Sequence, residues 1–381
     1  MNSFAAAKSA VAPTSAAPNS AGVAKFWSWS KGLIDPKRAI INPLADAFFF
    51  YGAPVWALAL VLAGASQPDL WYVKSMFADE YGYVTFVTGA ATSAHLLAVM
   101  FRSHLNPAVF TQWPMRFTLV PVGVFLLLTF SPWALVAASA LAIFWDVYHS
   151  GMQNFGLARI YDMRAGNAPT QGRLLDSLIS QVLYAGPIMA GASLYFHFEG
   201  FDSFEKFLDG GFSSIAEALT TIPAHVDGKA EVLRNWVFGV SALAWCGYLY
   251  GYWRLAKQGY NVAPQKVILM AATALTSLIA WVYCEPVVAF AVMNLFHAVQ
   301  YFAIVWGREH KTIGQTFRIK NPKLGKWVAL ALILGVCAAF GAWEMLWANP
   351  GWDATYAFIL TVALMHFWYD GFIWSVRKKA V

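Results

Sequence analysis

Four histidines within long apolar segments are the residues of this sequence best placed to do chemistry. Imidazole binds transition metals, and it also gives or takes protons near neutral pH. An ionisable side chain inside a membrane segment is costly, so it usually faces the interior of a helical bundle and serves a function. The four residues are His95, His149, His297 and His366.

Three of these histidines have a second polar group one helical turn away on the same helix face. Gln153 follows the histidine of the fourth apolar segment, Gln300 that of the eighth, and Asp370 that of the tenth. A metal-bound histidine commonly donates its other ring N–H to a carboxylate, so we expect Asp146, one turn earlier, to fix the tautomer of His149. We expect Asp370 to be a further ligand or a base. The two glutamines are predicted to orient ligands or bound oxygen species.

The ligand types indicate which metals suit such a site. Imidazole and carboxylate together suit iron, zinc, copper or manganese. Cys246, Cys284 and Cys337 form no CxxC pair, so no thiolate site is expected. We predict iron, because redox chemistry on an apolar substrate suits a site buried at the membrane interface. Zinc with an open position for water would suit a membrane hydrolase instead, and two histidine pairs would suit haem.

The composition of the chain indicates a membrane protein. Of its 381 residues, 59% are hydrophobic and 12% are charged, whereas soluble domains carry about 25% charged residues. A spanning helix needs about 20 mostly apolar residues. Ten stretches meet this requirement, namely 44–65, 83–102, 115–131, 132–150, 174–196, 235–255, 266–285, 286–306, 327–347 and 354–376. The sequence therefore predicts an all-α, polytopic transmembrane bundle of about ten spans.

Two neighbouring pairs of these stretches are separated only by short breaks that contain proline. The third and fourth stretches meet at Ser131-Pro132, and the seventh and eighth meet at Glu285-Pro286. Proline lacks the backbone donor that a continuing helix needs, so we predict a tight reversal at each break. A kinked or re-entrant pair is the alternative.

Positive charge is distributed unequally between alternate loops. With the N-terminus in the cytoplasm, 22 of the 26 Lys and Arg residues fall in the two termini and the even-numbered loops. Only Lys74, Lys206, Lys229 and Arg234 remain for the opposite side. Cytoplasmic loops carry the excess of positive charge. We therefore predict a multi-pass protein of the inner (plasma) membrane with both termini cytoplasmic. The net charge of +6 reflects this topology, so no nucleic-acid partner is expected.

The regions outside the apolar stretches define the domain organisation. Residues 1–24 are rich in Ala and Ser, and the aromatic residues at 26–29 are flanked by Lys25 and Lys31, as in an interfacial anchor. We predict a largely disordered cytoplasmic tail over residues 1–40 and a transmembrane domain over 41–381. The longest extracytoplasmic loop, 197–234, is acidic.

The predicted topology gives the four histidines a common depth. Their segments all run from outside to inside, and each histidine lies in the cytoplasmic half of its segment or near its cytoplasmic end. A single intramembrane histidine is at least as often a hydrogen-bonding residue between helices as a ligand. Four structural histidines need not share a depth, so the set favours a metal site near the cytoplasmic face.

Two of the histidine-bearing segments resemble a known family. One is Asn294-Leu295-Phe296-His297-Ala298-Val299-Gln300-Tyr301, and the other is His366-Phe367-Trp368-Tyr369-Asp370-Gly371. Both are similar to the histidine-bearing helices of the Brp/Blh family of bacterial membrane carotenoid dioxygenases. The resemblance implies cleavage of β-carotene to retinal at an iron held by histidines. This chain has more spans and a longer tail than that family.

The function predicted from these features is that of an integral membrane, iron-dependent oxidoreductase or oxygenase acting on a lipid or isoprenoid. Its expected partners are membrane lipids, an apolar small-molecule substrate and an electron-donor protein. One alternative is a proton-coupled transporter in which His and Asp form a relay. The other is a haem-binding membrane electron carrier.

Overall fold

The computed structural model describes residues 29–65, 83–190, 230–347 and 353–374, and the elements in these ranges are all helical. Ten of them are long helices, and each overlaps one of the predicted apolar stretches. They are α1 (Ala53–Ala65), α2 (Tyr83–Ala98), α3 (Pro114–Phe130), α4 (Pro132–Arg164), α5 (Arg173–Ala190), α6 (Ala230–Lys257), α7 (Pro264–Tyr283), α8 (Pro286–Thr316), α9 (Pro322–Trp347) and α10 (Asp353–Ile373). Helices α4 and α8 continue 14 and 10 residues beyond the predicted ends. Residues 1–28 of the predicted tail and 197–229 of the predicted external loop lie outside the described residues.

The helices include several that can cross a membrane. Four of the described helices are long and apolar enough by themselves, and the number rises to six if each of two bent pairs is counted as one span. The four are α7, α8, α9 and α10. The outer faces are apolar as well, as lipid contact requires. On α3, for example, the exposed side chains include Leu119, Val122, Leu126, Leu127 and Phe130.

Proline determines where many helices begin. A proline in the first helical turn loses no intrahelical hydrogen bond, and its fixed φ suits a helix. At the predicted break after α3, Ser131 accepts a hydrogen bond from the Ala134 N–H at 3.3 Å, and the chain bends by 117°. At the second predicted break, α7 ends at Tyr283 and α8 begins at Pro286. Both breaks therefore separate two helices.

A kink at Gly52 shapes the start of the first apolar stretch. Residues Ala47–Tyr51 form a π-helix, and the axis bends by 54° before α1. A Cβ atom at Gly52 would lie 2.1 Å from the Ala47 carbonyl oxygen, so only glycine fits this position. The kink leaves the Phe50 carbonyl to accept a hydrogen bond from the Gln300 amide at 2.9 Å. This bond fixes the kink against α8.

Helix α8 lies at the centre of the bundle. In the most apolar 18 residues of α8, 78% of the residues are buried. In the corresponding part of α9 only 22% are buried, so α9 lies at the periphery. One apolar core joins α8 to α1, α5, α7 and the C-terminal half of α4. The other joins α8 to α2, α3, α9 and α10. Side chains of α8 consequently meet residues from most of the bundle.

Close packing of helices brings the histidine-bearing segments together. Helix α2 packs against both α8 and α9, and α10 packs against α2 and α4. Where α2 meets α9, a Cβ atom at Gly341 would lie 2.0 Å from the Ala90 carbonyl oxygen. Small residues at helix crossings permit this approach in membrane bundles. The contact fixes the position of α2, which carries His95 five residues further along.

Candidate metal centre

The four histidines predicted from depth lie together in the bundle, one from each of α2, α4, α8 and α10. The ring centroids of His95 are 5.0 Å from those of both His297 and His366. The ring of His149 completes the square, at 5.3 Å from His297 and 4.8 Å from His366. All four side chains are buried. Four imidazoles thus face one another in the interior of the protein.

The ring nitrogens of this square are poorly satisfied by protein groups. Neither nitrogen of His95 or His297 has a hydrogen-bond partner within the described chain, although the carbonyls of Ala91 and Thr92 lie near His95. A buried polar atom without a partner is costly and calls for an explanation. A bound metal ion supplies one, because it replaces the missing partner at each ligating nitrogen.

The hydrogen bond made by His366 fixes which of its nitrogens faces the cluster. Its Nδ1 lies 3.1 Å from the Leu96 carbonyl oxygen, which accepts only, so Nδ1 carries the proton. In the neutral ring Nε2 then presents a lone pair, and it lies 3.1 Å from Nε2 of His149. A metal-ligating histidine commonly shows this arrangement, with the other ring N–H held by a carbonyl.

Asp370 extends the cluster with a carboxylate. Its Oδ2 lies 3.8 Å from Nε2 of His149 and 3.8 Å from Nε2 of His366. Its Oδ1 accepts hydrogen bonds from the Tyr301 hydroxyl at 2.7 Å and from the Trp374 indole N–H at 3.0 Å. One carboxylate oxygen is therefore anchored, and the other is directed at the two histidines.

These distances fit a metal ion. Two imidazole nitrogens bound to one ion at about 2.1 Å lie roughly 3.0 Å apart at a right angle and 3.4 Å apart at a tetrahedral angle. Four imidazoles on one ion place neighbouring ring centroids roughly 4.6–5.3 Å apart, as the square of rings does. The potential ligands form two overlapping triads, and within each triad the ligand atoms lie within 4.8 Å of one another. The first triad is His95, His297 and His366, and the second is His149, His366 and Asp370. The donor set of nitrogen and oxygen suits iron or zinc.

The other polar residues predicted for the site are placed around the square. The Gln153 amide donates to the His297 carbonyl at 3.0 Å and to the Gln300 side-chain carbonyl at 3.2 Å. Asp146 instead lines a separate small cavity with Tyr184, and it makes no hydrogen bond to His149 in the described part of the protein. The carboxylate beside His149 is Asp370, and the role predicted for Asp146 stays a prediction.

Two residues that contact Asp370 were missed by sequence reasoning. Tyr301 follows His297 by four positions, and Trp374 follows Asp370 by four. Each therefore lies on the same helix face as the predicted site residue before it. The Tyr301 ring also lies 4.6 Å from that of His366 between centroids. The spacing of four was the available signal. It was obscured because aromatic residues are common near membrane interfaces.

A buried ion pair lies next to this group. The Arg102 guanidinium lies 4.2 Å from the Trp374 ring centroid, pairs with Glu309 and donates to the Ile373 carbonyl. The Asn106 amide donates to the other Glu309 oxygen at 2.8 Å. This pair links the end of the α2 segment to α8 and to the end of α10. It therefore holds in place the helix end that carries Asp370 and Trp374.

The remaining described histidines are used elsewhere. Nε2 of His104 lies 2.9 Å from the Phe117 carbonyl oxygen, and Nδ1 of His310 lies 2.9 Å from the Trp306 carbonyl oxygen. Burial lowers the pKa of His104, which lies outside the apolar stretches. His197 and His225 fall outside the described residues. The square of four is thus distinct from these two backbone-bound rings.

A cavity of about 440 Å³ opens beside the cluster. His149, Gln153, Tyr301 and Asp370 line it near one end, and its walls carry apolar and aromatic residues of α4, α8 and α10. Pockets of about 300–1,000 Å³ with mostly apolar walls and a few polar groups are typical ligand sites. The cavity therefore gives a small molecule access to the predicted metal ligands.

A buried network of charges closes the bundle beside this cavity. Nη1 of Arg159 lies 2.8 Å from an Asp162 carboxylate oxygen and 2.7 Å from an Asp176 oxygen. Nζ of Lys266 lies 2.7 Å from each of the same two carboxylates and contacts the Tyr252 hydroxyl. Two cations match two carboxylates, so the network is neutral. It joins α4, α5, α6 and α7.

The site as a whole provides nitrogen and oxygen ligands, an anchored carboxylate and an apolar cavity. Comparison with protein-family models, with curated proteins and with solved structures finds no match for this chain.

Proposed function

We propose that this chain is an integral membrane, metal-dependent oxidoreductase or oxygenase that acts on an apolar lipid or isoprenoid. The observation that carries this proposal is the buried square of four imidazoles with Asp370 beside it. The unsatisfied nitrogens of His95 and His297 support metal ligation. The adjoining cavity supports a small-molecule substrate rather than a purely structural ion.

Iron is the metal we propose for the centre. His95, His149, His297 and His366 would hold it, with Asp370 as a fifth ligand or as a base next to it. Bound iron would supply one-electron chemistry on the substrate and on dioxygen, and bound zinc would supply Lewis-acid chemistry instead. The imidazole and carboxylate donors fit both ions.

The protein's own residues would orient the reactants and control water. Tyr301 and Trp374 hold Oδ1 of Asp370, so Oδ2 stays available to bind the metal or accept a proton. The aromatic side chains around the buried end of the cavity lower the local dielectric, which strengthens electrostatic interactions between the buried groups there. Gln153 lines the same cavity, and its Oε1, which has no partner among the described residues, would accept a hydrogen bond from a bound substrate or oxygen species. Gln300 would orient Gln153 through their mutual hydrogen bond. Electrons would come from a donor protein on the cytoplasmic side.

The membrane topology that we propose has ten spans, both termini in the cytoplasm, and the inner membrane as location. The one-sided distribution of Lys and Arg supports it. Reporter fusions in the loops test it. A reporter active only outside the cytoplasm should be active after α1 and α3, and inactive after α2 and α4. The reverse pattern at any of these positions would contradict the topology.

Metal analysis together with a visible spectrum of the detergent-purified protein tests the function. We expect roughly one iron or more per chain without the Soret band of haem. The edge-to-face contacts between the rings leave no flat slot for a porphyrin, so the geometry favours an ion over haem. Absence of any metal would refute the proposal and favour a proton-relay transporter.

Single substitutions then test the ligands. His297→Ala and His366→Ala should each abolish bound metal, because each removes a ligand from the square. His310→Ala is the matched control, since its ring bonds only a backbone carbonyl within the described part of the chain. Retention of metal in both ligand variants would show that the assignment is wrong.

A further inference from the structure

The cavity extends well beyond the metal centre. Its lining residues on α4 continue from His149 to Arg159, ten residues later, which corresponds to about 15 Å along the helix. Arg173, at the start of α5, lines the same far end. Between the two ends the walls include Phe155, and the cavity passes the open face of Gly156. The cavity therefore has one end at the predicted ligands and one at two arginines.

The two arginines differ in how their charge is matched. The Nη groups of Arg159 are taken up by Asp162, Asp176 and two backbone carbonyls, while its buried Nε–H has no acceptor among the described residues. Arg173 is exposed, and its guanidinium lies 5.7 Å from the Phe155 ring centroid. It forms no ion pair with any carboxylate in the described ranges. The far end of the cavity thus carries an unmatched positive charge.

We propose that the cavity binds a single-chain amphiphile with an anionic head group. The head group would lie at Arg173, and the apolar chain would run along α4 past Gly156 to the metal centre. This inference rests on the proposed function, since it names the substrate class of the same site. It also fixes the orientation of the substrate, with the reacting carbons about 15 Å from the charged end.

The volume of the cavity favours one chain over two. Its 440 Å³ lies in the lower part of the range of about 300–1,000 Å³ for small-molecule sites, and a two-chain phospholipid exceeds it. An uncharged isoprenoid would leave Arg173 without a partner inside the cavity. A carboxylate or a phosphate monoester would accept hydrogen bonds from its guanidinium. Both head groups share this chemistry, so both belong in the test.

Binding of three probes of equal chain length tests the proposal directly. The protein is reconstituted in nanodiscs of zwitterionic lipid, and the dissociation constants of radiolabelled palmitate, hexadecyl phosphate and hexadecanol are measured. We expect the two anions to bind more tightly than the alcohol. The stronger of the two anions identifies the head group, carboxylate or phosphate. Equal affinity of all three probes would overturn the charged head group.

Two substitutions locate the bound probe. Arg173→Gln should weaken anion binding roughly three- to fivefold, as expected for a solvent-exposed ion pair, and leave hexadecanol unaffected. Gly156→Leu projects a side chain into the open cavity and should weaken all probes about tenfold. Gly335→Leu is the matched control, because Gly335 lies on the exposed face of α9 with open space around it. Unchanged binding in Gly156→Leu would place the probe elsewhere and overturn the proposal.

Metal content separates this inference from the proposed function. The same titrations are run on protein as purified and on protein stripped of metal with a chelator. Anion binding that depends on Arg173 and Gly156 in protein without metal would support the amphiphile site even if the oxidoreductase proposal fails. Normal metal content with no such binding would overturn the amphiphile site alone.

Discussion

The hydrogen bond from Tyr301 to Asp370 should control metal affinity. Tyr301→Phe removes an O–H donor 2.7 Å from Oδ1 and leaves only the Trp374 bond to hold the carboxylate. A hydrogen bond to a charged group contributes about 1.5–3 kcal/mol, and loss of a group that orients a ligand typically lowers metal affinity about 10- to 100-fold. We expect Tyr301→Phe to lower the metal affinity about 10- to 100-fold and to leave the fold unchanged.

Cobalt binding measures this effect. Co²⁺ is titrated into metal-free protein against a competing chelator, and the visible ligand-field bands report both affinity and coordination. Tyr356→Phe is the matched control, since that hydroxyl lies 2.9 Å from Ser139 Oγ and outside the square of histidines. An affinity of Tyr301→Phe within twofold of the unchanged protein would refute the anchoring role. An equal loss in Tyr356→Phe would show a general effect of tyrosine removal.

Three further substitutions test the scaffold by thermal unfolding of the purified protein. Lys266→Met leaves two buried carboxylates with one cation and should lower the free energy of unfolding by about 3–5 kcal/mol. Adding Asp162→Asn should restore part of this stability, and no restoration would contradict the charge argument. Gly341→Ala forces a Cβ against the α2 backbone and should cost about 1–3 kcal/mol or more, whereas Gly335→Ala should cost nothing. Gln300→Leu leaves the Phe50 carbonyl without its hydrogen bond and should lower the free energy of unfolding by about 1–3 kcal/mol. An unchanged unfolding transition would contradict the role of Gln300 in fixing the kink.

The helices could be predicted from the sequence because hydropathy and proline act locally. Each predicted apolar stretch overlaps one long described helix, and Ser131-Pro132 and Glu285-Pro286 both mark breaks between helices. By length and composition, four of the described helices qualify as spans, or six if each bent pair is one span. Stretches with many aromatic and polar residues, such as α6, have too low a mean hydropathy for that criterion. They were predicted as spans from about 20 mostly apolar residues, and the charges of the loops were an independent test of that count.

The site could be predicted only in part, because a sequence gives the depth of a residue and not the rotation of its helix. Depth grouped the four histidines correctly in space. His95 had no polar neighbour one turn away, yet its ring touches two of the other three. Asp146 and Asp370 each lie about one helical turn from a histidine, but only Asp370 faces the square. Helix packing over separations of some 200 residues decides such contacts.

The buried charges were interpreted from sequence as loop charges. Arg159 and Lys266 were among the 22 Lys and Arg residues counted on the cytoplasmic side. In the structure Lys266 is only 2% exposed and is matched by Asp162 and Asp176. Charge counting reports which side of the membrane a residue lies on, but it carries no information about burial. The partners become apparent only when α4, α5 and α7 are placed together.

The order of the charged residues along the chain determines when the neutral network can form during synthesis. Arg159, Asp162 and Asp176 all precede Lys266, so the emerging protein holds one cation and two carboxylates before α7 is made. A buried charge without a partner is strongly destabilising. We therefore expect the ends of α4 and α5 that carry these residues to stay hydrated until the lysine arrives. Packing of α7 against α4 and α5 would then be the step at which the nascent protein closes this end of its cavity.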